Sequence, residues 1–548
     1  MNRIKYILSS ILALSLSYNS FARESTGDKM IEPKKTNHKL MKYAAACDPA
    51  TASADLDVNN VRTKILNGGD MWWDQGLQTA QYEVPKGSGH HTMFAGSIWL
   101  GGLDIDNTIH IAAQTYRQTG NDLWPGPIMN NLSTNAANCQ LYDKIWKVNK
   151  SDIVAHMANP ASPPLSISTW PAKGNDIGGG VITDDMAPFV DVNGNGTYEP
   201  TAGDYPKING DQALWYVIND VGNTHSETGG APIGVEIQVM AYSFLTNNVL
   251  NNTTFYNYNV KNKSTETYHD FYIGFWTDCD LGGYADDFIG CDSTRNAAIY
   301  YNSDASDTDY GSNIPVTAIV GINTPLENNI PVIMSKLGYF KNDPTTYGNP
   351  SSAAHYYQYL KGQWKDGTNW GYNYAYPGSP CVSSETSMVH PIFQPAADLR
   401  TVQSFGPMNF APGDCKNITT AVITTFNSAY PNPCFDPIRA SIDSVKSLHQ
   451  SLALNNISCQ STTAINEFEL NASINIYPNP ANNSITINAS KNEKGQYQIF
   501  AIDGSEVLNG NINGIAVLDI STLNKGLYFV SVSNQKGQII AVKKMVKD

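Results

Sequence analysis

"GVEIQVMAYSF" (residues 234–244) sets Val235, Ile237, Val239 and Ala241 on alternate positions, the period of a β-strand rather than a helix. "FYNYNV" (255–260) and "HDFYIGFW" (269–276) repeat the pattern with aromatic and β-branched residues, which suit a pleated surface. Working outward, 43 Gly, 29 Pro and 30 Tyr fit short strands joined by turns. At 548 residues, 41% hydrophobic and 15% charged, the chain is globular and too long for one core. The expected fold is mainly β: a large β-rich central region with few helices, followed by a small C-terminal antiparallel β-sandwich of Ig-like type. Helices are expected at 352–364 and at 437–454, where Ile442, Val445, Leu448 and Leu452 recur at helical spacing behind Pro437.

The ends differ from the middle. Arg3 and Lys5, an apolar run from Ile7 to Leu16 and the small-x-small Ser20-Phe21-Ala22 read as a signal peptide over 1–22. Residues 23–46 are a polar leader without strand or helix period. From Cys47 to about 460 no composition break appears, so one domain or two remain open. Residues 461–473 form a linker, and from 474 short strands recur at regular intervals, with turn signals at Asp503-Gly504 and Lys536-Gly537. Net charge is −14 and no cationic cluster stands in the middle region, which argues against a nucleic-acid partner. Export permits disulfides, and the eight cysteines are an even set. Proximity in sequence favours Cys279 with Cys291 and Cys415 with Cys434.

"YPNP" (477–480), "YQIFAIDG" (497–504), "LNKGLYFVSV" (523–532) and the basic tail "VKKMVKD" stand in this order at the C-terminus, behind an export signal. Together they resemble the type A C-terminal sorting domain of the bacterial type IX secretion system, with Pro478, Asn479, Pro480, Gly504, Gly526 and Tyr528 carrying the motif. The resemblance implies export, recognition by the type IX machinery and a sorting protease at the outer membrane, and release or attachment to the surface through a lipopolysaccharide. "NNVRTKILNGGDMWWD" (59–74), "YEVPKGSGHHTMFAGSIWLGGLD" (82–104), "AAQTYRQTGNDLWPGP" (112–127) and "DLGGYADDFIGCD" (280–292) resemble stretches of large uncharacterised secreted proteins of Bacteroidota with the same sorting domain. Neither resemblance implies an activity.

Chemistry must come from the central region. In "DVNGNGTYEPTAGDYP" (191–206), Asp191, Asn193 and Asn195 alternate ahead of Gly196, the start of an acidic calcium loop. The Thr197 carbonyl, Glu199 and Asp204 complete a candidate structural Ca²⁺ site; Ala202 stands where an EF-hand needs glutamate, so this is not an EF-hand. The alternative is a solvated Asn-Gly turn. A second acidic cluster, Asp278, Asp280, Asp286, Asp287 and Asp292, reads as a second cation site, a glycosidase-like carboxylate pair or a solvated loop. The aromatics of 355–378, from Tyr356 to Tyr376, either stack sugar rings or fill the space between sheets. No H-E-x-x-H, G-x-S-x-G or Walker loop occurs, so the usual protease, serine hydrolase and nucleotide signatures are missing. The expectation is a non-catalytic surface protein that binds or adheres, possible partners being surface polysaccharide or lipopolysaccharide. The alternative is an extracellular hydrolase using the clustered carboxylates.

Overall fold

The strand Val235–Ser243 is buried at all nine positions, and its neighbour Gln212–Asn219 at all eight. The alternation read from sequence therefore separates two cores rather than a core from water. Val235, Ile237, Val239 and Ala241 join one hydrophobic cluster, while Met240 and Tyr242 join another. A sheet covered on both faces keeps every side chain dry, which explains why polar Glu236 and Gln238 also lie buried and bond to one another.

The computed structural model describes residues 46–548 apart from 130–131, 303, 372, 375–397, 427, 431–432, 453, 455–458, 460–473, 489–493, 502–505 and 535–538. The chain is mainly β. A nine-stranded sheet runs in the order Trp124–Pro125, Gln212–Asn219, Val235–Ser243, Thr253–Asn262, Cys415–Thr425, Val316–Asn323, Ala297–Asn302 and Asp287–Asp292, with Trp146–Asn149 also on Gln212–Asn219. A ten-stranded sheet centres on Ala95–Leu103, Tyr268–Asp278 and Leu399–Phe410, with Met334–Lys341 at one edge. Ile98, Leu100, Ile273, Phe275 and Phe405 of this sheet share one core with Leu214, Tyr216, Ile237, Tyr258 and Ile418 of the other. Two antiparallel sheets thus pack face to face.

Each sheet is also covered on its outer side. Helix Asp436–Ser451 lays Ile438, Ile442 and Val445 on the nine-stranded sheet. Helix Ala353–Lys361 lies on the ten-stranded sheet where glycines make room. A Cβ at Gly274 would stand 2.3 Å from Leu360, and one at Gly338 would stand 1.9 Å from the Trp370 ring. Both helices fall in the stretches where they are expected, 352–364 and 437–454.

The cysteine pairing differs from the expectation. Cys47 bonds Cys139 and Cys415 bonds Cys459; Cys434 is disulfide-bonded too, but not to Cys415. Cys279 and Cys291 are buried free thiols. Cys279 follows a strand of the ten-stranded sheet and Cys291 lies within a strand of the nine-stranded one. Nearness along the chain fails because the connection crosses from one layer to the other.

The C-terminal region forms its own seven-stranded path from Asn475–Tyr477 to Ile539–Lys547. Between Glu506–Asn513 and Ile515–Asp519 the path holds through a single residue pair, Asn513 with Ile515, around Gly514 at φ 76°. The chain turns there from one layer to the next. Ile485, Ile487 and Leu518 of one layer meet Ile499, Val530, Val532 and Met545 of the other in one core, a β-sandwich. The expected turns at Asp503-Gly504 and Lys536-Gly537 lie outside the described residues.

Candidate cation sites

The loop 191–206 closes a short hairpin, Phe189–Val190 on Tyr205–Pro206. Gly194 and Gly196 take positive φ, 74° and 79°, which wraps three backbone amides around Asp191. Its carboxylate accepts from Gly194 N at 2.7 Å, Gly196 N at 2.6 Å and Asn195 N at 3.3 Å. These bonds, that from Gly196 first, hold the Asp191 carboxyl below its ordinary range. Asn193 and Asn195 turn their amides toward Glu199, and Thr197 donates to Asn195 Oδ1. Asp204 is fully buried at the base of the loop, its two oxygens taking Val192 N and Glu199 N at 2.8 Å each. Tyr198 anchors the loop to the body, donating to Ile167 O at 2.8 Å. The structure thus gathers the six residues read from sequence, with Asp204 acting as a clasp inside and the others at or near the surface.

The second acidic set divides. Asp292 caps the short helix Ser293–Arg295 and pairs with Arg295 at 2.8 Å and Arg439 at 3.0 Å. Against burial, which pushes it up, Thr294 and the two arginines hold its carboxyl low. Asp286 accepts from Asn302 at 2.8 Å. Asp287 is buried in the nine-stranded sheet; Leu281 N donates to one oxygen at 3.1 Å, and burial pushes its carboxyl well above the ordinary range.

Asp278 and Asp280 go elsewhere, to one end of the ten-stranded sheet. In the antiparallel ladder Asp278 stands opposite Arg400. The same register carried past the strand end sets Asp280 across from Asp398. Ligand atoms of Asp278, Asp280 and Asp398 all lie within 4.8 Å of one another. Arg400 reaches Asp278 at 3.0 Å and also contacts Asp398. Tyr116 donates to Asp278 Oδ2 and accepts from Arg400 Nε at 3.1 Å. Burial pushes the Asp278 carboxyl up to about 6. Burial and then the neighbouring Asp278 push Asp280 up to about 8. Sequence spacing missed Asp398 and Arg400, which only strand order brings to this place.

The aromatic segment faces inward. Tyr356, Tyr357, Tyr359, Trp364 and Trp370 are buried, as are Trp72, Trp73 and Trp124; Tyr372 and Tyr376 lie outside the described residues. The rings fill the space over the sheet, with Tyr356 set edge-on against Trp99 at 4.7 Å.

In the C-terminal sandwich, Pro478, Asn479, Pro480 and Gly526 are exposed. Asn479 Oδ1 accepts from Val546 N at 2.8 Å, Ala481 N donates to Val546 O at 2.8 Å, and Tyr528 donates to Asn524 O at 2.9 Å. The first two bonds fasten the proline motif to the final strand, while the third ties the Tyr528 ring to the turn before its own strand. Gly504 lies outside the described residues.

No curated protein sequence matches the chain. Among solved structures, a polysaccharide lyase aligns with a TM-score of 0.20 and 8% identity, over 57% of this chain and 34% of its own. The BSP domain of a biofilm-associated protein aligns with a TM-score of 0.13 and 9% identity, over 94% of this chain and 84% of its own. Similarity at these scores bears on neither fold nor activity. Among the described residues no helix is long and apolar enough to cross a membrane. Residues 475–548 match the family described as the secretion system C-terminal sorting domain, so the chain carries a type IX sorting domain and is a secreted protein destined for the cell surface.

Proposed function

We propose that the central region is a non-catalytic binding or adhesion body displayed at the cell surface and braced by calcium in the loop 191–206. The observation that carries the non-catalytic reading is the state of the carboxylates. Asp278, the centre of the acidic set, is 1% exposed and clamped by Arg400 and Tyr116. A glycosidase needs two carboxylates flanking a cleft that admits a sugar ring. The paired, upward-shifted Asp278 and Asp280 are the feature that favours the hydrolase alternative, but Asp278 is buried, and Tyr356, Tyr357, Tyr359, Trp364 and Trp370 are packed inside rather than lining a groove.

The loop fits calcium by its donor set. All candidate ligands are oxygens, the hard type calcium takes, and the turn at Gly194 and Gly196 folds Asp191, Asn193, Asn195 and Glu199 together. Rotating the two asparagine amides presents their oxygens in place of N–H groups. The test is to incubate the chain with a panel of extracellular polysaccharides and host-type matrix polymers, scoring retention and released sugar separately. Retention without released sugar is expected. Polysaccharide cleavage that Asp280→Asn abolishes would establish the hydrolase instead.

A further inference from the structure

The end of the ten-stranded sheet gathers more acidic groups than cations. Three carboxylates, Asp278, Asp280 and Asp398, meet one guanidinium, Arg400, whose side chain is 7% exposed. Like charges facing one another across a ladder destabilise it, and burial raises the cost because little water screens them. Arg400 bridges Asp278 and Asp398 but makes no bond to Asp280 among the described residues.

A second observation is independent of the charge count. Asp278 is 1% exposed, and its Oδ1 is buried without a hydrogen-bond partner among the described residues, while Oδ2 takes both Tyr116 and Arg400. Asp280 Oδ1 is likewise buried without a partner. Buried carboxylate oxygens are ordinarily bonded, so two such oxygens two residues apart point to a ligand that is not a protein donor. The spacing suits a metal ion. Calcium binds oxygens at about 2.3–2.6 Å, so oxygens up to about 5 Å apart can share one ion, and those of the three carboxylates lie within 4.8 Å.

We propose that Asp278, Asp280 and Asp398 together bind one divalent cation, calcium by the hardness of the donors, with Arg400 and Tyr116 as positioning residues that aim Asp278. Such an ion joins the end of strand Tyr268–Asp278 to the residue preceding strand Leu399–Phe410, and it answers the excess of acidic groups over cations there. This site is separate from the loop 191–206 and does not depend on what the body binds.

Terbium luminescence distinguishes the two sites. Terbium replaces calcium and emits when an aromatic ring nearby is excited. Tyr116 bonds Asp278 directly, and the Trp276 ring lies 5.0 Å from that of Tyr116. The full chain carrying Asp191→Ala, which disables the loop, is titrated with terbium chloride and then with calcium chloride as competitor. Sensitised emission that calcium displaces is expected, with at least tenfold weaker binding on adding either Asp280→Asn or Asp398→Asn. Asp280→Asn keeps the side-chain shape, Asp398 is 30% exposed, and circular dichroism verifies that both variants are folded. Absence of emission from the Asp191→Ala chain overturns the proposal, as does emission that either added substitution leaves unchanged.

Discussion

On the helix Asp436–Ser451, His449 lies 3% exposed, its ring stacked on Phe255 at 5.9 Å and its Nε2 3.2 Å from the Tyr242 hydroxyl. Burial pushes its pKa down to about 4 from an ordinary 6.5. The unfolded chain therefore binds more protons between those values, so stability is full above about pH 6.5 and falls as pH drops toward 4. The shift corresponds to about 3 kcal/mol when fully expressed. His449→Gln stays neutral throughout, so its melting temperature should fall less steeply than that of the unsubstituted chain between pH 6.5 and 4; parallel curves would show that His449 carries none of the acid sensitivity. This residue is also a lesson in legibility. Hydropathy puts Leu448 and Leu452 on the buried stripe, yet Leu448 is only partly buried and the helix ends at Ser451. His449 takes the position because the sheet offers Tyr242 as a partner and Phe255 as a stacking face, neither visible along the helix.

At the scale of elements, the loop 191–206 makes a separable prediction. In an Asp280→Asn background, so that only the loop responds, chelator should lower the melting temperature and calcium restore it. The difference amounts to about 1.4 kcal/mol at free calcium ten times Kd. Adding Asp191→Ala should erase it. Equal melting temperatures in chelator and millimolar calcium before that substitution would make the loop an ordinary turn, read by scanning fluorimetry. What sequence displays well is much of what is encoded within one element: the strands around 234–244, 255–260 and 269–276 and the helices Ala353–Lys361 and Asp436–Ser451 lie where the sequence places them, whereas helix Lys150–Ala158 is not foreseen. What it hides are juxtapositions between elements. Asp398 stands 118 positions from Asp280, and only the ladder pairing Asp278 with Arg400 brings them together. The pairing of Cys415 with Cys459 rather than Cys434 is hidden for the same reason.

For the whole molecule, the sorting sandwich has its own core of Ile485, Ile487, Ile499, Val530, Val532 and Met545, and the central region has its own clusters. Deletion of residues 474–548 should therefore leave the central region folded but retained in the periplasm, because folding and address reside in different cores. Fractionation with limited proteolysis tests both halves: a surface-delivered truncation would refute the sorting role, and a protease-sensitive one would refute independent folding. The β class was visible from composition and alternation alone. The double coverage of the nine-stranded sheet was not, since a strand between two cores and a strand with one wet face can share the same period in apolar residues.

The Cys415–Cys459 bond has a mechanical consequence. Cys459 lies at the C-terminal side of helix Asp436–Ser451, and Cys415 opens a strand in the interior of the nine-stranded sheet. Tension arriving from the C-terminal side of the body meets this covalent crosspiece before it reaches the helix, and passes to Cys415, where the strand enters the sheet. The segment between the two cysteines, 44 positions apart, is spared the load, and the helix within it stays seated while the pull is taken up at Cys415. A chain pulled by its C-terminal end would then be held at Cys415 rather than unravel through helix Asp436–Ser451.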